Sequence, residues 1–278
     1  MMAGRTGANA FEKLSSLCIT AGEHMGRIYL KELSFTAPFK VMAPFTKPDG
    51  TLQVMPLTAS AGILEGDTQE IQIETGQGTK LEVVSQSYEK IHKMITGSAR
   101  RDTCLHVGKD SLLLYRPLPV IPFKQSAFDS RTQIVLEDST SRLAYQEILS
   151  CGRAAAGERF RYRYYHSLVE ARRSGCLVYR ENCRFYPDRD FMEEVGFFEG
   201  YSHLANLLLF QMGAEHSVDK IRRLIGKQED VSGGVTLTAA SDVVVRILGN
   251  QAQSLQKICD DIIDLVRKQE TSMDIHIF

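Results

Sequence analysis

The side chains able to do chemistry here are scattered carboxylates, seven histidines and six cysteines, and no familiar catalytic spacing joins them. A phosphate loop of the form G-x-x-x-x-G-K-S/T is absent. Gly108-Lys109-Asp110-Ser111 lacks the glycine spacing that lets backbone N–H groups cradle phosphates. There is no G-x-S-x-G elbow, no H-E-x-x-H and no C-x-x-C, so the standard hydrolase and structural-zinc readings have no motif. Cys104 and His106 stand two apart on a predicted strand, hence on one face, and could touch a borderline metal. Core packing with a satisfied histidine is the favoured reading of that pair. Cys176 and Cys183 flank a turn signal and are a weaker candidate for a shared site. His92, His166, His203 and His216 show no ligand spacing. The acidic residues are more suggestive. Gly66-Asp67-Thr68-Gln69-Glu70 follows the glycine-bearing run Ser60 to Glu65, so carboxylates stand where a turn enters a strand. A turn aspartate commonly bonds its own backbone. An enzymatic alternative, a β-solenoid hydrolase or lyase, would need two such carboxyls about 5 to 9.5 Å apart in a cleft.

Thirty-three Lys plus Arg balance thirty-four Asp plus Glu, for a formal charge of -1. Phosphate neutralisation consumes basic residues, so nucleic acid is a poor partner for this chain. At 43% hydrophobic and 24% charged, the 278 residues can bury a sizeable core. Six cysteines without close pairs, no secretory h-region and no apolar run near twenty residues predict a soluble, cytoplasmic protein without a membrane span.

The elements that must position these groups change character along the chain. Seven of the eight prolines lie between Pro38 and Pro122, where helical periodicity is missing, so this half reads as short strands and turns. Glu70-Ile-Gln-Ile-Glu74 alternates, Gly76-Gln-Gly78 turns, and Lys80-Leu-Glu-Val-Val84 follows, which reads as a hairpin. The same grammar returns around Gly108–Asp110 and Asp138–Thr140. Turn centres near 77, 109 and 139 are about thirty residues apart, a period that suits stacked β-layers and also an evenly spaced β-sandwich. Arg159-Phe-Arg-Tyr-Arg-Tyr164 continues the strand pattern with aromatics turned to the core and arginines to water or a partner. Gly175–Arg180 and Cys183–Tyr186 extend it.

In the last third the period becomes helical. Ser217 is placed to cap a helix carrying Val218, Ile221, Leu224 and Ile225 and ending by Gly226. After a Gly233-Gly234 turn and a strand from Val243, a second helix follows Asn250, with Leu255, Ile258, Ile262, Leu265 and Val266 on one face. The tail, ending Ile275-His-Ile-Phe278, is a docked edge strand or free. The expected architecture is mainly β: a stacked-strand, β-solenoid-like domain with two α-helices in the C-terminal third. Residues 1–24 are set apart as a candidate flexible segment from one domain over 25–278, β-rich to 210, helix-containing over 211–268, with a tail at 269–278.

Several strings in order resemble the urease accessory protein family UreD, called UreH in its Helicobacter-type branch. They are Pro56-Leu-Thr-Ala-Ser-Ala-Gly-Ile-Leu-Glu-Gly-Asp67, Ser85-Gln-Ser-Tyr-Glu-Lys-Ile-His92, Pro117-Leu-Pro-Val-Ile-Pro-Phe123, Glu147-Ile-Leu-Ser-Cys-Gly-Arg153 with Gly157-Glu158, and Phe198-Glu-Gly-Tyr-Ser-His203. The resemblance covers about residues 25 to 268, with the strings in the family's order. The family commonly reads S-G-G-I-V-G-G-D, and Ala61 and Glu65 replace two of those glycines. Residues 85–92 likewise depart from T-T-Q-x-x-T-K-x-Y, as in the Helicobacter-type branch.

The resemblance implies a non-enzymatic maturation chaperone with no catalytic residues and no stably bound cofactor. It implies a dimeric heteromeric complex with a UreF-like helical accessory protein and a UreG-like GTPase, docked on apo-urease to insert nickel. GTP hydrolysis would then be a partner's work, in keeping with the missing phosphate loop. A carrier must also release its cargo, which sparse carboxylate, carbonyl and water contacts permit better than imidazole or thiolate clusters. On that view Asp67, Glu70, Glu147 and Glu181 are expected to line or gate a transient nickel path, with Gly66, Arg153 and Glu158 holding the geometry. The second helix and the tail, through Ile258, Ile262, Ile275 and Phe278, are the expected partner-binding surface.

Overall fold

The computed structural model describes residues 14–274. Nineteen strands and two α-helices occur among them, and most of the strands lie in two stacked sheets, neither closed into a barrel. The first sheet runs β2 (Arg27–Phe35), β1 (Ser15–His24), β7 (Thr68–Thr75), β10 (Ala99–Val107), β13 (Ala127–Leu136), β15 (Tyr164–Arg173), β16 (Cys176–Phe185). The second runs β4 (Phe45–Thr46), β5 (Leu52–Val54), β8 (Lys80–Val84), β11 (Leu112–Arg116), β14 (Arg142–Ser150), β17 (His203–Phe210), β19 (Val243–Gly249), β18 (Val231–Leu237). Two short strands, β9 (Glu89–Ile91) and β12 (Val120–Pro122), extend it beside β14, and β3 (Phe39–Val41) pairs with β6 (Pro56–Thr58).

The thirty-residue grammar is that of a two-layer coil. Parallel pairing stacks β7, β10 and β13 in the first sheet, with Ile71, Thr103, Thr132 and Val169 in register across to β15. β8, β11 and β14 stack likewise in the second. The three predicted hairpins are therefore arches: β7 and β8 lie in different sheets and do not pair. An arch exposes its turn backbone to the next coil, and small hydroxyl residues satisfy it. Thr79 donates to the Gly76 carbonyl (2.8 Å), Ser111 to Gly108 (2.6 Å) and Ser141 also to Gly108 (3.0 Å). All three are fully buried.

Alternation explains the layers. On β7, Ile71 and Ile73 turn inward while Gln72 and Glu74 are exposed. With Leu81, Val83, Leu105, Leu113, Ile134 and Leu143 they make the core between the sheets. Each such side chain contributes roughly 1.5–3 kcal/mol on burial. The outer face of the second sheet packs on α1 (Val218–Ile225) and α2 (Ala252–Asp274). Ser217 and Gly226 bracket α1 as expected, although the Ser217 hydroxyl makes no capping bond.

Several expectations need correction. Residues 15–24 are β1, an interior strand paired to both β2 and β7, so they belong to the folded body and a flexible segment does not extend to residue 24. Gly233 and Gly234 lie within β18. Cys176 and Cys183 sit on one continuous strand, seven residues and about 23 Å apart at strand rise, so they share no site. Arg159–Arg163 is an irregular connection before β15. Its Tyr162 is buried and Arg161 is exposed, as the alternation proposed. Ile258 and Ile262 are 3% and 0% exposed within the α2 core, because the stripe packs on β14, β17 and β19, and they offer no surface to a partner. Ile275 and Phe278 lie outside the described residues. No helix among the described residues is long and apolar enough to cross a membrane.

Candidate functional site

A polar seam crosses the apolar layer between the two sheets. Inward positions of β14 carry Leu143, Tyr145, Glu147 and Leu149, so strand alternation alone drives a glutamate into the core. Glu147 accepts the Tyr165 hydroxyl (2.9 Å) and the Ser167 hydroxyl (3.1 Å), both from inward positions of β15. Burial raises its carboxyl above the usual range; the Tyr165 bond opposes this and nearby Glu181 adds to it.

Glu181 enters from β16, its side chain 8% exposed. It accepts Tyr179 Oη (2.9 Å) and Cys183 Sγ (3.2 Å), and pairs with Arg246 of β19 across the layer. Burial, reinforced by Glu181, pushes the Cys183 thiol up to about 12, so it remains protonated and is a poor soft ligand.

The seam continues toward the other end of the stack. Tyr145 stacks on Tyr115 (centroids 5.7 Å apart) and its hydroxyl lies 3.4 Å from Thr132. Burial pushes the Tyr115 phenol up to about 12, opposed by the neighbouring Arg101. Arg101 donates to Gln69 (3.0 Å) and is ion-paired with Glu89. Arg101, Glu89 and Tyr115 line a cavity of about 120 Å³, walled also by Phe39, Gly62 and Lys90. Oxygen-bearing side chains thus run from that cavity to the Glu181–Arg246 pair. They are hard donors, suited to holding a hydrated divalent ion weakly.

The four expected carboxylates do not form one site. Glu147 and Glu181 both face the seam, near enough for Glu181 to raise the Glu147 carboxyl. Asp67 is buried at the entrance to β7, where its carboxylate accepts the Leu64 N–H (2.8 Å) and closes its own turn. Gly66 supplies that turn with φ +84°. Glu70 projects from the opposite face of β7, beside Arg100, Asp102 and Cys104. Arg153 and Glu158 pair on the return connection (2.8 Å), and Arg153 lies over the Phe123 ring. They shape the connection leaving β14 and touch neither seam carboxylate. Cys104 and His106 share the outer face of β10, where His106 lies 3.8 Å from Glu74. Among the described residues no group of three or more His, Cys, Asp or Glu is placed to hold a metal ion.

Tyr165, Ser167, Arg101 and Arg246 were not singled out from the sequence. For Arg246 the signal was available in principle, a charged residue between Val245 and Ile247 on a strand, whereas Arg101 stands among the polar Arg100, Asp102 and Thr103. Reading it requires the strand phase, which the arches and the bulge at Ala171/Arg172 obscure.

The family model described as UreD urease accessory protein matches residues 15–275. A urease accessory protein UreD of Acetivibrio thermocellus is 38% identical over 90% of this chain and 96% of its own length. A UreH of Helicobacter pylori is 36% identical over 85% of this chain and 88% of its own. A UreD of Flavobacterium johnsoniae is 30% identical over 87% of this chain and 88% of its own. The ordered strings noted in the sequence thus lie inside a match that takes in both sheets and both helices, and the chain belongs to the UreD family of urease accessory proteins.

Proposed function

We propose that this chain is a non-catalytic maturation factor for urease, a chaperone and scaffold. In this reading it joins a UreF-like helical protein and a UreG-like GTPase in a dimeric heteromeric complex on apo-urease. Nickel, the cargo, passes along the interlayer seam. A role in urease maturation follows from the family; the route and the partners are the proposal. The observation that supports the route is the placement of Glu147 and Glu181 between the sheets, fed by hydroxyl donors, with the Arg246 guanidinium at the edge and that of Arg101 deeper in the seam. Burying two carboxylates costs stability and is unnecessary for a β-stack, so a use for them is implied. Oxygen donors with a protonated thiol favour brief occupancy over storage. A hydrolase or lyase would draw on the same two carboxylates, and no further observation favours it.

Glu147→Gln separates function from stability. The amide keeps the volume and still accepts from Tyr165 and Ser167, while removing a carboxyl that burial disfavours as an anion. Thermal stability is expected to hold or rise. Nickel incorporated per urease active site in a fixed time is expected to fall on the order of tenfold, equivalent to about 1.4 kcal/mol. Metallation at the wild-type rate, with the variant folded, would remove Glu147 from the route.

A further inference from the structure

We infer that Arg246 is the gate of the seam: its guanidinium holds the cation place on Glu181, and cargo enters or leaves only when that side chain swings into solvent. This rests on the passage reading above. Arg246 lies on β19 opposite Asn206 of β17 and Gly234 of β18, and its side chain crosses to Glu181 on β16. The two partners are unequal. The Arg246 side chain is 54% exposed and that of Glu181 is 8%. Arg246 can therefore be hydrated when it leaves the pair, and the cost of leaving falls on Glu181, which stays buried without a cation until another takes the place.

The neighbouring strand leaves room for that swing. Gly234 is the register partner of Arg246, and a Cβ built there would meet no atom within 4 Å. Its neighbour Gly233 is close-packed instead, its Cβ position 2.7 Å from the Arg246 carbonyl. The backbone of Arg246 is thus fixed while its side chain is unconfined on the β18 side. A guanidinium and a divalent ion repel each other at one carboxylate oxygen, so occupation by one excludes the other. Glu181 would retain a fixed set of donors, Tyr179 and Cys183, whichever cation it carries.

The test uses the full chain with its accessory partners and Ni²⁺ itself as probe, measuring both nickel retained at equilibrium dialysis and nickel delivered per urease site. Arg246→Gln is expected to raise retention about tenfold and to slow delivery, because Glu181 then lacks its competing cation. Arg246→Lys should restore both values toward wild type, and E181Q added to R246Q should abolish the extra retention. Gly234→Val fills the swing space without touching the pair; it should slow delivery and leave retention unchanged, and it decides the matter if Arg246→Gln does not fold. Wild-type delivery and retention in R246Q, or wild-type delivery in G234V, would overturn the gate. If E147Q still lowers delivery in that case, passage along the seam stands without a gate. If E147Q is also without effect, the passage reading itself fails.

Discussion

Glu82→Ala is expected to destabilise the chain by about 3–5 kcal/mol, the range for breaking a buried ion pair from one side. Glu82 is 0% exposed on the α2-facing side of β8. It accepts from Lys47 Nζ (2.9 Å) and Gln53 Nε2 (2.6 Å), and pairs with Arg116, which also holds Asp260 of α2. Removing the carboxylate leaves two cations facing one another beside the second sheet. Burial alone would raise the Glu82 carboxyl, yet Arg116, Gln53 and Lys47 hold it below its usual 4.5. A depressed carboxyl contributes stability that is present above 4.5 and lost as pH falls through the folded value. The gap between wild type and Glu82→Ala should therefore be widest near neutrality and narrow in acid. Urea unfolding at the two pH values checks this, read as a midpoint shift at constant slope. A neutral-pH loss below about 1 kcal/mol would show the cluster behaving like an exposed one.

Gly62→Ala should cost about 3 kcal/mol, from strain and overpacking together. Gly62 has φ +143°, and a Cβ there would sit 2.3 Å from the Lys90 carbonyl oxygen. That oxygen is already the acceptor for the Ile63 N–H (2.8 Å), part of the bridge tying Ile63 to Ile91. The adjacent Ala61→Gly should change stability by less than about 1 kcal/mol, since Ala61 does not need positive φ. Paired thermal or urea melts decide it; equal stability of the two variants would contradict the close approach.

The same segment shows how the family's glycines divide. Positive φ occurs at Gly62 and Gly66, which this chain keeps, and at neither Ala61 nor Glu65, where it departs. Glu65 gains a role from its departure. Its carboxylate accepts the N–H groups of Ile95 (2.7 Å), Thr96 (3.1 Å) and Gly97, bonds that hold its carboxyl below the usual range.

Strand content, the thirty-residue period and both helices were legible in the sequence because period and turn residues are local signals. Which sheet each strand joins was not. A turn such as Gly76–Gly78 serves a hairpin or an arch equally, and only the parallel partners one coil away decide between them. The helical stripe of α2 was readable but not its occupant: Ile258 and Ile262 face the second sheet instead of another chain. Carboxylate placement was half legible. Glu147 and Glu181 lie in the seam, but Glu70 sits one residue out of phase with inward-facing Gln69 and Ile71 and so faces the other way.

The most direct test of the account is to express the urease genes with and without this chain, its partner accessory proteins present in both, and to measure nickel per urease active site. The account predicts well-assembled urease that is largely nickel-free when the chain is missing, restored by the wild-type chain and poorly restored by Glu147→Gln. Equal nickel content with and without the chain would contradict it.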